Sequence, residues 1–507
     1  TIRKIIERGV QRIVTKPLLC QVGLPHRGIG RVEDPVPEAV DHSKLGARIE
    51  LRDIANAERG MSPMGIWCNE AQERYVLIVA EQRIEEFTAL CDRERCPVSI
   101  IGTLTDDGQL VVNDEEFDNR AVDMPMQMLL GNPPKMTRDV EHLEMETSDL
   151  DLDDIEFEEA AMRVLRFPAV ADKSFLIHIG DRTVGGLSVR DQLVGPWQVP
   201  VSDVAITATS HAGVTGEAMA MGERTPLAVL NAPASGRMAV AEAVTNIAAA
   251  PIDGIEKIRL SANWMAAAGH PGEDANLFDT VKAVGDELCR DLGIAIPVGK
   301  DSMSLRTRWQ DDAGEHQVVA PVSLIVSAFA PVRDVRRHLT PKLQHRDEPS
   351  YLLQFDLGQG RNRLGGSCLA QAFGRAGGEA PDIDDPQLLK NFFAAIQELN
   401  ERGMLLAYHD RSDGGLLATV AEMMFASRLG VSLQLAGSRE ELLAQLFNEE
   451  AGAVVQVAKK KITQVQMVLD RTGAKATAIG RVEAEPLLTV RSDDAIVLQL
   501  ERARMQR

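Results

Sequence analysis

An α+β protein with an internal duplication is the fold class that this sequence predicts, and three observations predict it. Strand-like runs alternate with helical periodicity near both ends of the chain. An ordered series of matches relates residues 43–102 to residues 427–480 at a nearly constant offset. A third stretch, 404–424, reads as a buried strand, a tight polar turn and a helix start.

Size and composition set the bounds. The 507 residues suggest roughly three to four domains of about 150 residues each, and 44% hydrophobic residues suffice for real cores. A formal net charge of -20 argues against nucleic acid or an anionic membrane as the main partner, since both need a basic face. The six cysteines (Cys20, Cys68, Cys91, Cys96, Cys289, Cys368) form no CxxC pair and no disulfide-dense spacing, which predicts a reducing cytoplasm and no structural zinc. No apolar stretch has the length of a membrane span, and no signal peptide is read. The first residue is Thr1, not Met, and the chain is read as a fragment.

Taken in order, residues 1–40 carry no clear periodicity. From Leu45 the pattern is regular: residues 47–51 alternate as a strand, 74–79 form a second strand, 82–91 a helix, and 98–104 with 110–113 a strand pair. This unit repeats at the C-terminus. Asn69-Glu70 matches Asn448-Glu449, Ile101-Gly102 matches Ile479-Gly480, and Ser43-Lys44-Leu45-Gly46 matches Ser427-Arg428-Leu429-Gly430. The offsets are 448 − 69 = 379, 480 − 102 = 378 and 427 − 43 = 384. Carried back, the last one places the twin of 409–417 at 25–33, where the chain reads Pro25-His26-Arg27-Gly28-Ile29-Gly30-Arg31-Val32-Glu33 and the acidic pair is gone. Either the first copy lost those residues or residues 1–40 are not native sequence; the abrupt fading of the repeat favours the second.

Residues 114–165 read as a connector, broken at Pro133-Pro134 and acidic from Glu141 to Glu159, chiefly a solvated linker with some helix. The second copy opens with a strand and turn at 175–181 and a Gly-rich loop at Gly185-Gly186. An Ala-rich helix spans 237–248, another helix 277–289, a buried strand 319–329. A connector at 332–348, a strand at 351–357 and a helix at 388–402 lead to the 404–424 stretch. The expected domains are therefore 1–40 unassigned, 41–120 the remnant of a first C-domain, 121–166 an acidic connector, 167–335 an N-domain and 349–500 a second C-domain.

Chemistry concentrates at a few positions. In His409-Asp410-Arg411-Ser412-Asp413-Gly414-Gly415, two Asp residues can hold a hard cation through oxygen, Ser412 offers a hydroxyl, and the glycines let backbone N–H groups approach a polyphosphate at a helix N-terminus. A strand-to-helix turn capped by Ser or Asp is the plain alternative. Ser202 and Asp203 stand at the start of an apolar strand. Glu242 and Asn246, four apart, share one face of the Ala-rich helix, as cation ligands or as an ordinary helix-face pair. Lys300, in Gly299-Lys300-Asp301-Ser302, resembles a phosphate-facing turn without the spacing of a Walker loop.

From about residue 40 to 507, longer motifs carry a family resemblance. They are Gly195-Pro196-Trp197-Gln198-Val199-Pro200, LSANWMAAAGHPGED over 260–274, Gly299-Lys300-Asp301-Ser302-Met303-Ser304 and 409–417. Pro133-Pro134-Lys135-Met136-Thr137-Arg138-Asp139 agrees, as do Gly60-Met61-Ser62-Pro63 and Trp67-Cys68-Asn69-Glu70. The sequence resembles the large single-chain phosphoribosylformylglycinamidine synthases, ATP-dependent glutamine amidotransferases of purine biosynthesis. That resemblance implies aminoimidazole-ribonucleotide-synthetase-like N- and C-domains, a barrel-forming N-domain plus an α/β C-domain, with the barrel drawn from two N-domains.

It also implies magnesium ligands at Asp203, Glu242, Asn246 and Asp410, and nucleotide contacts at Ser202 and Ser412, with ATP or ADP and Mg2+ as cofactors. The implied reaction converts formylglycinamide ribonucleotide, ATP and glutamine to the amidine, ADP, phosphate and glutamate: ATP activates the amide oxygen as a phosphate, and ammonia then attacks the imidate carbon. Against the family's full length, an N-terminal domain, the first N-domain and a glutaminase would be the missing partners of this chain, which by itself would then be inactive and would self-associate through uncovered strand faces. The alternative reading is a non-catalytic module that holds Mg-nucleotide as a structural brace. A stand-alone synthetase of the same superfamily is disfavoured by the partial first copy.

Overall fold

In the computed structural model of the protein, the residues described are 17–23, 35–56, 58, 60–68, 74–131, 137–143, 148, 150–180, 182–183, 185–345 and 347–507. They fall in two compact units, Thr1–Arg138 and Asp139–Arg507.

The first unit is a six-stranded sheet in the order β3-β1-β4-β2-β5-β6. Its strands are β1 (Pro17–Gly23), β2 (Gly46–Glu50), β3 (Arg74–Ala80), β4 (Val98–Thr105), β5 (Gln109–Asp114) and β6 (Asn119–Pro125). Helices α1 (Pro35–His42), α2 (Pro63–Trp67), α3 (Ile84–Arg93) and α4 (Met126–Leu130) complete it. Apolar residues at alternate strand positions, Ala47, Ile49, Leu110 and Val112, meet Val36 and Val40 of α1 in its core. One expectation is corrected here: 98–104 and 110–113 are strands but not a pair. Strand β2 lies between them, antiparallel to β4 and parallel to β5. The short link between β4 and β5 looks like a hairpin in sequence, but the two backbone edges of β2 take both ladders.

Among its described residues the second unit holds two large sheets joined by a common core. Ahead of them, helix α5 (Phe157–Leu165) turns Ala160, Ala161, Val164 and Leu165 inward and Glu158 and Glu159 to solvent, so the acidic stretch carries one apolar face. Residues 175–181 were expected as a strand, yet Ser174–Ile179 is a short helix, α6. No described strand pairs with it, and its backbone satisfies itself locally, Leu176 N–H donating to Lys173 O at 3.0 Å. Asp181 lies outside the described residues.

The N-domain sheet runs β11-β10-β14-β9-β8-β7 and is open. It comprises β7 (Ser188–Arg190), β8 (Ala205–Ala208), β9 (Gly216–Glu223), β10 (Arg259–Met265), β11 (Ala295–Ser302) and β14 (Ser323–Val332), with the hairpin β12 (Arg306–Asp311) and β13 (Gly314–Val319) apart from it. The Ala-rich helix α7 (Ala232–Ile247) packs on one face. Its small residues allow a close approach: a Cβ added at Gly222 of β9 would overlap Ala239 O and lie 2.5 Å from Ala243 N. Behind α7, α8 (Glu273–Val281) continues through a wider turn at Lys282–Leu288 into α9 (Cys289–Leu292).

The C-domain sheet runs β16-β18-β15-β19-β17-β20-β21. The strands are β15 (Ser350–Asp356), β16 (Leu405–Arg411), β17 (Gly430–Leu435), β18 (Gly452–Ala458), β19 (Thr477–Glu483), β20 (Leu487–Ser492) and β21 (Ala495–Glu501). Its helices are α10 (Cys368–Ala372), α11 (Pro386–Glu401), α12 (Gly415–Ser427), α13 (Arg439–Phe447), α14 (Ile462–Thr472) and α15 (Arg502–Met505).

The duplication is visible in the topology. Strands β17, β19 and β20 repeat the pairing of β2, β4 and β5, antiparallel then parallel. Gly102 and Gly480 occupy matching bulges where an added Cβ would overlap Arg48 O and Ser432 O. Lys44 and Arg428, matched in sequence, both adopt the left-handed region, at φ 55° and 57°. Strand β16 has no counterpart among the described residues of the first unit. Its expected twin at 25–33, like Asn69-Glu70 and Pro133-Pro134-Lys135-Met136, lies outside the described residues.

Candidate functional site

The site is built where β16 meets α7 and the loop before β8. Tyr408, His409, Asp410 and Arg411 are all buried near the end of β16, and the polar turn that follows is only Ser412-Asp413-Gly414. Tyr408 Oη donates to Thr245 O at 2.6 Å, tying the strand to α7. Gly414 and Gly415 carry φ values of 80° and 66°, and a Cβ at Gly415 would lie 2.5 Å from Asn448 O. The double glycine is thus required by backbone geometry at the entry to α12.

Asp203 reaches this strand end from the other domain. Its Oδ1 accepts from His409 Nδ1 at 2.7 Å and from the Asp410 backbone N–H at 3.1 Å. His409 Nε2 contacts Glu422 Oε2 of α12 at 2.7 Å, so both ring nitrogens face carboxylates. Burial opposes the charged ring, but the Asp203 and Glu422 carboxylates overcome it and hold His409 well above the ordinary imidazole range as an imidazolium. The second oxygens, Asp203 Oδ2 and Asp410 Oδ2, are buried with no hydrogen-bond partner. Burial and the Asp203 charge push Asp410 up to about 8, against the opposing pull of His409.

Helix α7 supplies the remaining wall. It starts at Asn231, whose side chain accepts from Ala234 N at 3.0 Å. One helical face then meets the end of β9, with Glu242 Oε2 accepting from Glu223 N at 2.8 Å and Asn246 Nδ2 donating to Met221 O at 3.0 Å. Burial lifts Glu242 well above the carboxylate range; Arg224 opposes this, while the charges of Asp413 and Asp410 add to it.

The structure therefore brings Asp203 and Asp410 into contact and sets Glu242 in the electrostatic field of Asp410, with Asn246 one turn along the same helix. Ser202 stands beside Asp203, its Oγ donating to Val204 O at 2.8 Å. Ser412 follows in the turn, where its hydroxyl slightly opposes the rise of Asp410 and its carbonyl O accepts from Gly415 N at 3.0 Å. Lys300 departs from expectation. It lies in the edge strand β11, not in a turn, exposed and paired in the ladder with Asn263. No described contact joins it to this cluster; the Gly299 that suggested a turn instead serves close strand pairing, where a Cβ would lie 2.7 Å from Ala262 O.

Residues that sequence reasoning gave no role complete the site. His409, held from behind by Glu422, orients Asp203. A second cluster, Cys368, Asp413 and Glu449, also gathers potential ligand atoms within 4.8 Å of one another. The buried Arg224 side chain, from just after β9, already serves it: Nη1 donates to Asp413 Oδ1 at 2.6 Å and Nη2 to Glu449. Burial pushes the Cys368 thiol far up, and the charges of Glu449 and Asp413 add to that. The one local signal for these partners is that His409 adjoins Asp410 in the sequence.

The first cluster fits a hard divalent cation. Asp203, His409 and Asp410 gather potential ligand atoms within 4.8 Å of one another, and two buried carboxylate oxygens without partners are costly unless a cation satisfies them.

Comparison with known proteins finds two matching domain families. The FGAR-AT PurM N-like domain family matches residues 172–331, and the C-terminal domain family of AIR synthase related proteins matches twice, at 34–115 and 357–493. Among solved structures, Thermotoga maritima PurL complexed with ATP superposes with a TM-score of 0.57 at 15% identity, covering 92% of this chain and 70% of that one. The same protein complexed with FGAR gives 0.56 at 16%, covering 90% and 61%. Phosphoribosylformylglycinamidine synthase II of Thermotoga maritima gives 0.56 at 14%, covering 92% and 71%.

The fold and its repeated C-terminal domain define an AIR-synthase-related protein, with one N-like and two C-type domains. Since the N-like domain is of the FGAR-AT type, the chain belongs among the formylglycinamidine synthase-like proteins.

Proposed function

We propose that this chain is part of an ATP-dependent carbon–nitrogen ligase of purine biosynthesis, which converts formylglycinamide ribonucleotide to formylglycinamidine ribonucleotide with glutamine as amido donor. The observation that carries the reading is the pair of unpartnered buried oxygens, Asp203 Oδ2 and Asp410 Oδ2, in an FGAR-AT-type N-domain facing its C-domain. In this reading Asp203, Glu242, Asn246 and Asp410 hold Mg2+, while Ser202 and Ser412 contact the nucleotide. The bound ion would neutralise phosphate charge against an acidic protein and stabilise the transferring phosphoryl group. His409 keeps Asp203 in place between two domains, and its imidazolium offsets part of the carboxylate charge before the cation arrives. The 412–415 turn presents backbone N–H groups at the start of α12.

Lys300 enters this proposal only as a surface cation that a phosphate could meet. The boundaries 41–120, 121–166, 167–335 and 349–500 are kept as the proposed domain plan, with the other domains of the parent enzyme, its glutaminase among them, as partners and the cytoplasm as location. No helix among the described residues is long and apolar enough to cross a membrane. Glutamine-derived ammonia, and inactivity of this chain alone, follow from the resemblance of the motifs.

A second reading is favoured by one observation: Asp203 and Asp410 are 9% and 5% exposed, so the cluster is nearly enclosed. An enclosed site suits a nucleotide retained as a brace. Calorimetric titration of the chain with Mg-ADP and Mg-ATP, beside Asp410→Asn, tests the site. Binding that the substitution abolishes is expected, and equal binding by both proteins would overturn the assignment. Turnover of bound ATP separates the ligase from the brace.

A further inference from the structure

We infer that Arg224 is a positioning residue that sets the spacing between the two halves of the cation site; the inference rests on the Mg-nucleotide reading above. Its place in the chain gives it reach to both halves. The backbone N–H of the preceding residue, Glu223, donates to Glu242 at 2.8 Å, and the Arg224 carbonyl accepts from Ser235 Oγ at 2.8 Å, near the start of the same helix. The Arg224 main chain is therefore locked to α7 at both ends of the segment that leads to Glu242 and Asn246.

Its side chain crosses to the other domain. There it holds Asp413 in the turn that immediately follows Asp410 and Ser412, and it pairs with Glu449, which is itself fixed by Gly414 N at 2.7 Å and Cys368 N at 2.9 Å. One residue thus clamps the helix that bears Glu242 to the turn beside Asp410. The clamp is stiff because it is desolvated. Arg224 is 3% exposed and Glu449 1%, and inside a protein a charge-assisted pair tolerates little change of length. The guanidinium also lies in the field of Glu242, where it opposes the carboxylate repulsion from Asp413 and Asp410. Its Nε is buried and unpartnered, so the side chain is held on the clamp and not by its stem. A structural role alone would need none of this geometry. Were the role structural alone, the two carboxylates at the far end could be replaced by apolar groups with no effect on the metal site.

That difference gives the test. Removal of one partner from a buried pair leaves an uncompensated charge, whereas replacement of both is often close to neutral for stability. The full chain would be prepared as wild type, Arg224→Met, Arg224→Lys and the double variant Arg224→Met with Glu449→Gln. Thermal unfolding in EDTA and calorimetric titration with Mg-ADP would be measured on each. Arg224→Met is expected to lower the melting temperature and weaken Mg-ADP by at least about tenfold. The double variant is expected to recover most of the melting temperature while its Mg-ADP affinity stays at least about tenfold below wild type. Arg224→Lys, which keeps the charge but not the fork, is expected to fall between. A double variant that binds Mg-ADP as tightly as wild type would overturn the inference, as would affinity that rises and falls only with melting temperature. Absence of Mg-ADP binding by the wild type would instead overturn the nucleotide reading on which it rests.

Discussion

Gly415→Ala isolates how much of the site depends on its double-glycine entry, because the molecule provides a matched control. Gly415 has φ 66° and Gly403, after α11, has φ 61°, so alanine pays the same left-handed conformational cost at both, about 1–2 kcal/mol. The surroundings differ. A Cβ at Gly403 meets nothing within 4 Å, whereas at Gly415 it lies 2.5 Å from Asn448 O, 2.8 Å from Phe447 C and 2.9 Å from Leu446 O. All three are backbone atoms of α13 or its end, and they cannot swing aside. The overlap resembles overpacking of a rigid core, which costs about 1–3 kcal/mol more. Gly415→Ala should therefore lose about 2–5 kcal/mol in urea unfolding, and Gly403→Ala about 1–2 kcal/mol. Relief of the clash must push the 412–414 turn outward, so only Gly415→Ala should lose Mg-ADP binding in calorimetry. Two variants that agree within about 0.5 kcal/mol, the scatter of ordinary surface changes, would refute the reasoning.

Other outcomes follow from the charges and thiols. His338 is held neutral by burial, with Arg190 Nε donating to its Nε2 at 3.2 Å and its Nδ1 bonded to Val335 O at 2.8 Å. Its folded pKa is depressed below the ordinary 6.5, so the unfolded chain takes up its proton first, and the stability it contributes above pH 6.5 is lost as pH falls from there. Thermal melts between pH 8 and 5 should show a shallower acid decline in His338→Gln than in wild type. Burial pushes Cys289 up to about 12 and Cys368 higher still, so both should resist alkylation at pH 8 until urea unfolds the chain; rapid mass shifts at either in the native state would contradict that.

Local patterns in the sequence were good guides to the elements that bury an alternating or helical face. The β16–turn–α12 stretch, the Ala-rich helix and the repeated Ile-Gly pairs were readable because each shows in a short stretch of sequence. Residues 175–179 misled because Phe-Leu-Ile-His-Ile is a short apolar run, which strand and helix share, and the choice between ladder and helix depends on whether a partner strand is present. The adjacency of β4 and β5 was misjudged for a related reason: β2, distant in sequence, lies between them, antiparallel to β4 and parallel to β5. At the site, the carboxylates stood out because Asp and Glu in apolar surroundings are conspicuous. Arg224 did not. Its partners lie 189 and 225 residues away, and a lone arginine after a strand has no local signature. The link of His409 to Asp203, across 206 residues, is of the same kind.

The contact of α7 with Gly222 has a consequence for how the site can drift. Glu242 and Asn246 are bonded to the main chain of β9 on either side of that glycine, and the helix rests there directly on the strand. No compressible layer of side chains separates the two. Spacing in that region is dictated by main-chain thickness, which mutation of neighbouring side chains cannot alter. The Ala-rich composition of α7 is then less a matter of helix preference than of clearance. A larger residue at 222 would raise Glu242 and Asn246 together, shifting both prospective ligands as a single rigid body while Asp203 and Asp410 stayed behind.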